Sequence, residues 1–491
     1  MGYLDDLSVG GPVDAIADDV VKISTAGQKL GLALNAAKCE LIAHPDLVVE
    51  DPLLRSFQRV IVQEASLLGA LLFEGPALDQ AWLRCCGDLS RAVERLKLIG
   101  SQEALTLLRA SFSAPRVMHL MRCSPSREHP GLQIFDDQLR SAISHITNSD
   151  LSDIQWLQAS LPVRDGGLGV RRVASLALPA FIASAASTLP LQANILSDCI
   201  CSAVECRYLK DFLSVWSAIF GSPPELLPPK QSFWDQPVVA SDRARVEASL
   251  DSQFRSASFL AATSRHSGDW LFALPIASCG LKLDDEAVRV AVGLRLGLEV
   301  CVPHPCRCGS LVDAYGLHSL VCKQAPGRSS RHHMLNDVVA RSFTAAGIPV
   351  VKEPAGLFRR DGKRPDGLTL LPFEGGKPLT WDVTVVCSTA ESYIDLAAQS
   401  PGAVAEMAAA RKEEKYSDLL SHYLFQPIAV ETLGAINDSA CDFLNKLGRR
   451  ISLCTGDDRE TSYLFQRISV SVQRFNAVLL FDSFDLSALA D

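Results

Sequence analysis

The chain has 491 residues, 48% of them hydrophobic and 21% charged, with a net charge of −9. That composition excludes a disordered polypeptide, and the length suits about three domains with cores of their own. A pI near 5.6 excludes a uniformly basic nucleic-acid-binding protein, so any contact with a polyanion has to come from a local strip.

The opening stretch GYLDDLSVGG sets adjacent carboxylates, Asp5 and Asp6, at the tip of a predicted β-hairpin. Tyr3-Leu4 enters the tip, Leu7-Ser8-Val9 leaves it, and Gly10-Gly11 is free to bend the chain. Such a tip presents oxygen ligands to Mg²⁺, although two carboxylates alone more often make a solvated turn. No basic segment followed by an apolar one marks a secretory leader, so a soluble intracellular protein is expected. The segments ALTLLRASFSAPRVMHLMRCSP and SDIQWLQASLPVRDGGLGVRRVASLALPAFIASA read as helices with apolar faces joined by Gly-rich turns. The uncharged run from Val173 contains two prolines and several polar residues, which predicts a buried helix rather than a membrane span. Of fifteen cysteines, Cys39, Cys85, Cys86, Cys279 and Cys441 are expected in apolar cores as free thiols. Cys199, Cys201 and Cys206, with no fourth ligand nearby, are expected to pack likewise.

CRCGSLVDAYGLHSLVCK stands apart. Cys306-x-Cys308, nine residues, then His318-xxx-Cys322 offer three thiolates and an imidazole for a closed tetrahedral Zn²⁺ site. Cys301 is an alternative ligand. After it, SSRHHMLNDVVARSFTAAG predicts a Ser-capped amphipathic helix ended by Gly347, and IPVVKEP, GLTLLP and PLTWDVTVV predict three strands. A helix through AEMAAARKEEKYSDLL, a strand in QPIAVETLG and a helix in DSACDFLNKLGRR complete a mixed α/β core.

Asp366 in KRPDG and Asp382 in WDVTVV, on neighbouring strands, would converge on one divalent ion. A lysine beside it would orient or deprotonate a water and neutralise phosphate, as metal-assisted phosphodiester hydrolysis requires. Lys412 and Lys415, three apart and followed by Tyr416, are the candidates. From Lys323 to Asp366 nine Lys and Arg residues stand against four acids. Arg359, Arg360, Lys363 and Arg364 are its densest part and the expected nucleic-acid contact.

This order of motifs resembles the restriction-like endonuclease of site-specific non-LTR retrotransposons: a Cys-Cys-His-Cys knuckle, Arg/Lys-Pro-Asp, a second Asp, then Lys and Tyr on a helix. The residues matching it are Cys306, Cys308, His318 and Cys322, then Arg364-Pro365-Asp366, Asp382, and Lys412 or Lys415 with Tyr416. In the wider PD-(D/E)xK superfamily the lysine follows the second acid by two residues, where this chain has Thr384. Glu353 is a possible third acidic ligand. In the light of this resemblance, Tyr-x-Asp-Asp looks like the metal-binding hairpin of reverse transcriptases. LGLALNAAKCELI is similar to the palm strand bearing a lysine (Lys38), and SLLGALLF to the hairpin leading to the thumb.

The resemblance implies an α+β and α/β multidomain chain: half a reverse-transcriptase palm (1–75), helical thumb and connector (76–190), a helical linker (191–298), the zinc knuckle (299–325), the endonuclease (326–450) and a helical tail (451–491). Its implied cofactors are Mg²⁺ or Mn²⁺ and Zn²⁺, its partners a DNA target and the element's RNA with no membrane, and its location the nucleus. The expected activity is metal-dependent nicking of DNA, which in the family primes reverse transcription. A two-metal polymerase needs a further Asp and fingers, expected upstream of Met1, so no polymerase activity is expected from this chain alone. The alternatives are an inactive relic or host-adopted nucleic-acid binder, and a structure-specific nuclease resembling Holliday-junction resolvases.

Overall fold

The structure is a computed structural model that describes residues 2–3, 6–44, 46–196, 207–357 and 364–484. It divides into two compact units, the first comprising Met1–Gly87, Val117–Leu132 and Ala177–Gln231, the second the rest.

In the first unit Gly2–Tyr3 pairs antiparallel with Asp6–Leu7 as a two-stranded sheet of its own. The helix Val13–Lys29 lays Val20 against Val49 and Leu54 in a small core. Lys38 ends a 3₁₀ turn, Ala36–Lys38, and the following strand is Glu40–Ile42. The expectation of a lysine on a strand is therefore corrected: Asn35 and two alanines close a local turn through the Lys38 N–H to the Asn35 carbonyl at 3.0 Å. SLLGALLF does form a hairpin, Ser66–Leu67 against Ala70–Leu71, turning at Leu68 and Gly69 with φ of 50° and 77°. Two positive φ values at the centre are the mirror-image turn that suits a two-residue hairpin.

The apolar run forms a helix, Val173–Leu196, with Pro179 and Pro190 inside it. By length and composition it is apolar enough to cross a membrane, and half of its apolar window is buried inside the protein. Among the expected core thiols, Cys86 and Cys441 are buried, Cys39 and Cys85 half-buried, and Cys279 exposed. Cys279 sits on a 3₁₀ turn with no buried residue, capped by Gly280 with a φ of 71°. Cys199, Cys201 and Cys206 lie outside the described residues.

The second unit contains the mixed α/β core, with helices α1 (Gly327–Ala345), α2 (Ala403–Lys415), α3 (Asp438–Thr455) and α4 (Glu460–Phe481). Its strands are β1 (Val350–Lys352), β2 (Gly367–Thr369), β3 (Leu379–Val386) and β4 (Leu424–Glu431). The sheet order is β4-β3-β2-β1. β1, β2 and β3 run antiparallel in sequence, whereas β3 and β4 are parallel from Leu379↔Leu424 to Val386↔Glu431. A parallel pair needs a crossover, and α2 provides it.

Side-chain alternation separates the two faces of this sheet. Trp381, Val383, Ile428 and Val430 share one apolar cluster with Leu335, Val339 and Phe343 of α1, Leu444 and Leu447 of α3, and Leu464 and Ile468 of α4. The intervening Ala429 packs instead against Ala405, Ala408 and Ala409 of α2. Asp382, between Trp381 and Val383, thus falls on the face that α2 covers. Gly367 admits no side chain, because a Cβ there would lie 1.9 Å from the Trp381 indole. α1 begins at Gly327, ahead of the expected serine cap, with Pro326 at the cap position and no side-chain cap bond.

Candidate functional site

Two groups of side chains carry chemistry in the second unit. The first is the cysteine cluster. A short hairpin, His304–Pro305 with Leu311–Val312, puts Cys306 and Cys308 in its turn, where the Gly309 N–H donates to the Cys306 carbonyl at 2.7 Å. Gly309 takes a φ of 86°, which a side chain would resist. The short helix Leu317–Val321 carries His318, and Cys322 follows one turn later. The four ligand atoms lie within 4.8 Å of one another, and among the described residues no other group of three or more His, Cys, Asp or Glu converges so.

The Cys306 and Cys322 sulfurs are 3.7 Å apart, and Cys308 Sγ lies 3.1 Å from His318 Nε2. A tetrahedral shell with Zn–S bonds of about 2.3 Å has sulfur–sulfur edges of about 3.8 Å. Three thiolates and an imidazole at these separations fit a structural zinc ion. Cys301 is not in this set; its thiol donates to the Asp313 carbonyl at 3.2 Å. The knuckle is seated on α4, since Leu320 joins Leu479 and Leu480 in one apolar cluster and His304 reaches Ser483 Oγ at 2.8 Å.

The second group lies where β2 enters the sheet. The Asp366 N–H donates to the Trp381 carbonyl at 2.9 Å, extending the β2–β3 ladder by one residue. Its carboxylate turns back to β3, where Oδ2 accepts the Val383 N–H at 2.7 Å. That N–H belongs to the peptide following Asp382, so the two acids are tied through one backbone bond. Asp382 is buried, and Lys412 of α2 donates directly to its Oδ1. Burial lifts the Asp382 carboxyl above the usual carboxylate range, the charge of Asp366 adds to the rise, and Lys412 opposes it.

Lys415 has different partners. Its ammonium donates to the Tyr416 hydroxyl at 3.0 Å and lies over that ring, 4.4 Å from the centroid. Tyr416 is wholly buried, and its hydroxyl donates to the Arg364 carbonyl at 2.9 Å, beside the Pro-Asp turn. Thr384 shares the face of Asp382 one step along β3. Lys412 reaches Asp382 from the covering helix, not from this strand.

Glu353 does not complete a three-acid group. It takes a φ of 50° at the end of β1, its N–H donates to the Asp366 carbonyl at 2.9 Å, and its carboxylate is held by Arg364. The basic strip is likewise partly paired within the protein. Arg331 is buried against Asn476, while Arg341 and Lys352 both pair with Asp337. Arg359, Arg360 and Lys363 lie outside the described residues, as do Asp5 and the side chain of Asp6.

Sequence reasoning missed His332 and Asn336. His332 Nε2 lies 3.0 Å from Asp366 Oδ2 and 3.1 Å from the Val383 carbonyl. Asn336, one turn later, donates to the Asp366 carbonyl at 3.3 Å and accepts the Trp381 indole N–H at 2.8 Å. The signal was present in RHHMLND: a polar pair at i and i+4 on a helix face that continues as Val339 and Phe343.

No protein-family model matches the chain. It is 23% identical over 487 residues to the retrotransposable element SLACS 132 kDa protein of Trypanosoma brucei gambiense, an alignment that covers 94% of this chain and 35% of that protein. The chain thus spans about a third of the length of the relative it matches. A likeness sustained over nearly all of this chain supports an origin in a retrotransposable element.

Proposed function

We propose that the second unit is a divalent-metal-dependent DNA endonuclease of retroelement descent that nicks one strand to prime reverse transcription in the nucleus. The observation that carries this reading is Lys412 on Asp382, with Asp366 bonded to the next peptide. Asp366 and Asp382 would hold Mg²⁺ or Mn²⁺, which when bound supplies charge neutralisation and activates water. Lys412 would orient the attacking water and face the charge growing on the phosphate. Water adds to phosphorus as the bond to the 3′-oxygen breaks, leaving a 3′-hydroxyl, the end a polymerase extends, and a 5′-phosphate. Tyr416, through the Arg364 carbonyl, would hold the turn that aims Asp366. The zinc knuckle would act as a structural element, and residues 1–190 as remnants of palm, thumb and connector.

The test is nicking of a supercoiled plasmid by the zinc-loaded chain with Mg²⁺ or Mn²⁺, beside Asp382→Ala. The expected outcome is conversion to open circles by the wild type, reduced at least about 100-fold in the variant. A folded wild type that leaves the plasmid intact would sink the reading. One observation favours a second, a nucleic-acid binder without cleavage: among the described residues only two acids meet there, Glu353 being held by Arg364. DNA binding without metal-dependent nicking would establish it.

A further inference from the structure

We infer that His332 is a positioning residue for the acid pair: it fixes the Asp366 carboxylate so that its remaining oxygen and Asp382 meet a divalent cation together. This rests on the nuclease reading for its purpose, but the geometry that argues it is independent of any activity.

Nε2 of His332 faces two acceptors, the Asp366 Oδ2 and the Val383 carbonyl, so this nitrogen carries a hydrogen and donates. The same Oδ2 accepts the Val383 N–H. One carboxylate oxygen therefore receives two donors, one from the helix and one from the neighbouring strand, and the rotation of the carboxylate is removed. Asn336, four residues along α1, holds the main chain of the same aspartate and the indole of Trp381. His332 is only about a third exposed, and Asp366 less than that. Helix α1 thus grips Asp366 at its side chain and its backbone from one face, while its next turns, through Val339 and Phe343, are anchored in the core.

Outer partners that orient a ligating carboxylate matter nearly as much as the ligand itself, and their loss costs about 10- to 100-fold in metal affinity or activity. Lys412 and His332 divide the work. Lys412 contacts the acid of β3 and is itself partly exposed, whereas His332 contacts the acid that precedes β2 and spends its donor on protein groups alone.

The test uses the full zinc-loaded chain with His332→Phe, which keeps a planar ring and removes the donor, and His332→Gln, whose amide N–H restores one. Asp366→Ala defines the background. Two readouts are taken: Mn²⁺ binding followed by electron paramagnetic resonance, and the Mn²⁺ concentration giving half-maximal plasmid nicking. The Asp366-dependent component of Mn²⁺ binding is expected to weaken about 10-fold or more in His332→Phe, the half-maximal concentration to rise in parallel, and His332→Gln to recover most of both. Unchanged Mn²⁺ binding in a folded His332→Phe overturns the inference even if the wild type nicks. A wild type that binds Mn²⁺ through Asp366 and His332 yet cuts nothing overturns the nuclease reading and leaves the positioning role standing. A wild type with no Asp366-dependent Mn²⁺ binding overturns both.

Discussion

Lys412 and Lys415 lie three residues apart on α2, yet their ammonium groups meet different partners. Lys412 donates to a carboxylate with a side chain only 5% exposed, where loss of the cation leaves a buried charge uncompensated. Lys415 donates to a phenol and rests on its ring, an arrangement worth about 0.5–1 kcal/mol at a site of this kind. The two substitutions should therefore separate. Lys412→Ala is expected to destabilise the fold by about 1–3 kcal/mol and, on the nuclease reading, to cut nicking by about 10²–10⁴. Lys415→Ala should cost about 1 kcal/mol or less and leave nicking within a few-fold of wild type. Urea unfolding monitored beside the plasmid assay checks both. Equal losses in the two variants would mean that the contact with Asp382 has no special role.

At the scale of elements, the knuckle and α4 depend on each other. The knuckle is a two-residue-strand hairpin and a five-residue helix, too little apolar area to hold its shape alone, so the four ligands and the Leu320–Leu479–Leu480 contact have to do so. Stripping zinc with a chelator, or replacing Cys306 by Ser, should lower the melting temperature by about 5 °C or more, and one zinc per chain should be found by elemental analysis. A melting curve indifferent to the chelator would count against a structural zinc. The knuckle was legible in the sequence because its ligands are close in the chain and chemically distinctive. The four strands were legible for a similar reason, each lying in a largely apolar run between turn residues. The grip of His332 on Asp366 was not, because it depends on how β2 pairs with β3 and on which face α1 turns to them, and both are set by packing. Nor was the setting of Glu353 legible: its type suits a metal ligand, but its backbone is left-handed and its carboxylate meets Arg364. Helix α4 reads as a tail in sequence, yet it supplies Leu464, Phe465, Ile468 and Val472 to the same core as the sheet.

For the molecule as a whole, a net charge of −9 is the strongest physical objection to a DNA-cleaving role, since long-range repulsion has to be overcome by a few cations close to the phosphates. The fold narrows which cations are available. Of the nine between Lys323 and Asp366, Arg331 is buried, Arg341 and Lys352 share Asp337, and Arg364 pairs with Glu353. By sequence, Arg359, Arg360 and Lys363 then remain as the densest group, with Asp361 alone standing among them. If they meet phosphates, replacing all three by Gln should weaken binding to a DNA duplex about equally for unrelated sequences and should make the slope of log affinity against log salt shallower by about 2 to 3. The measurement is a fluorescence-anisotropy titration at several salt concentrations in Ca²⁺, chosen to load the acid pair without cleavage. A slope that does not change would move the phosphate contacts elsewhere on the chain, whereas a lost slope with the nicking of bound DNA intact would show that attraction and cleavage are carried by separate residues, one set delivering DNA and the other, held by the sheet, cutting it.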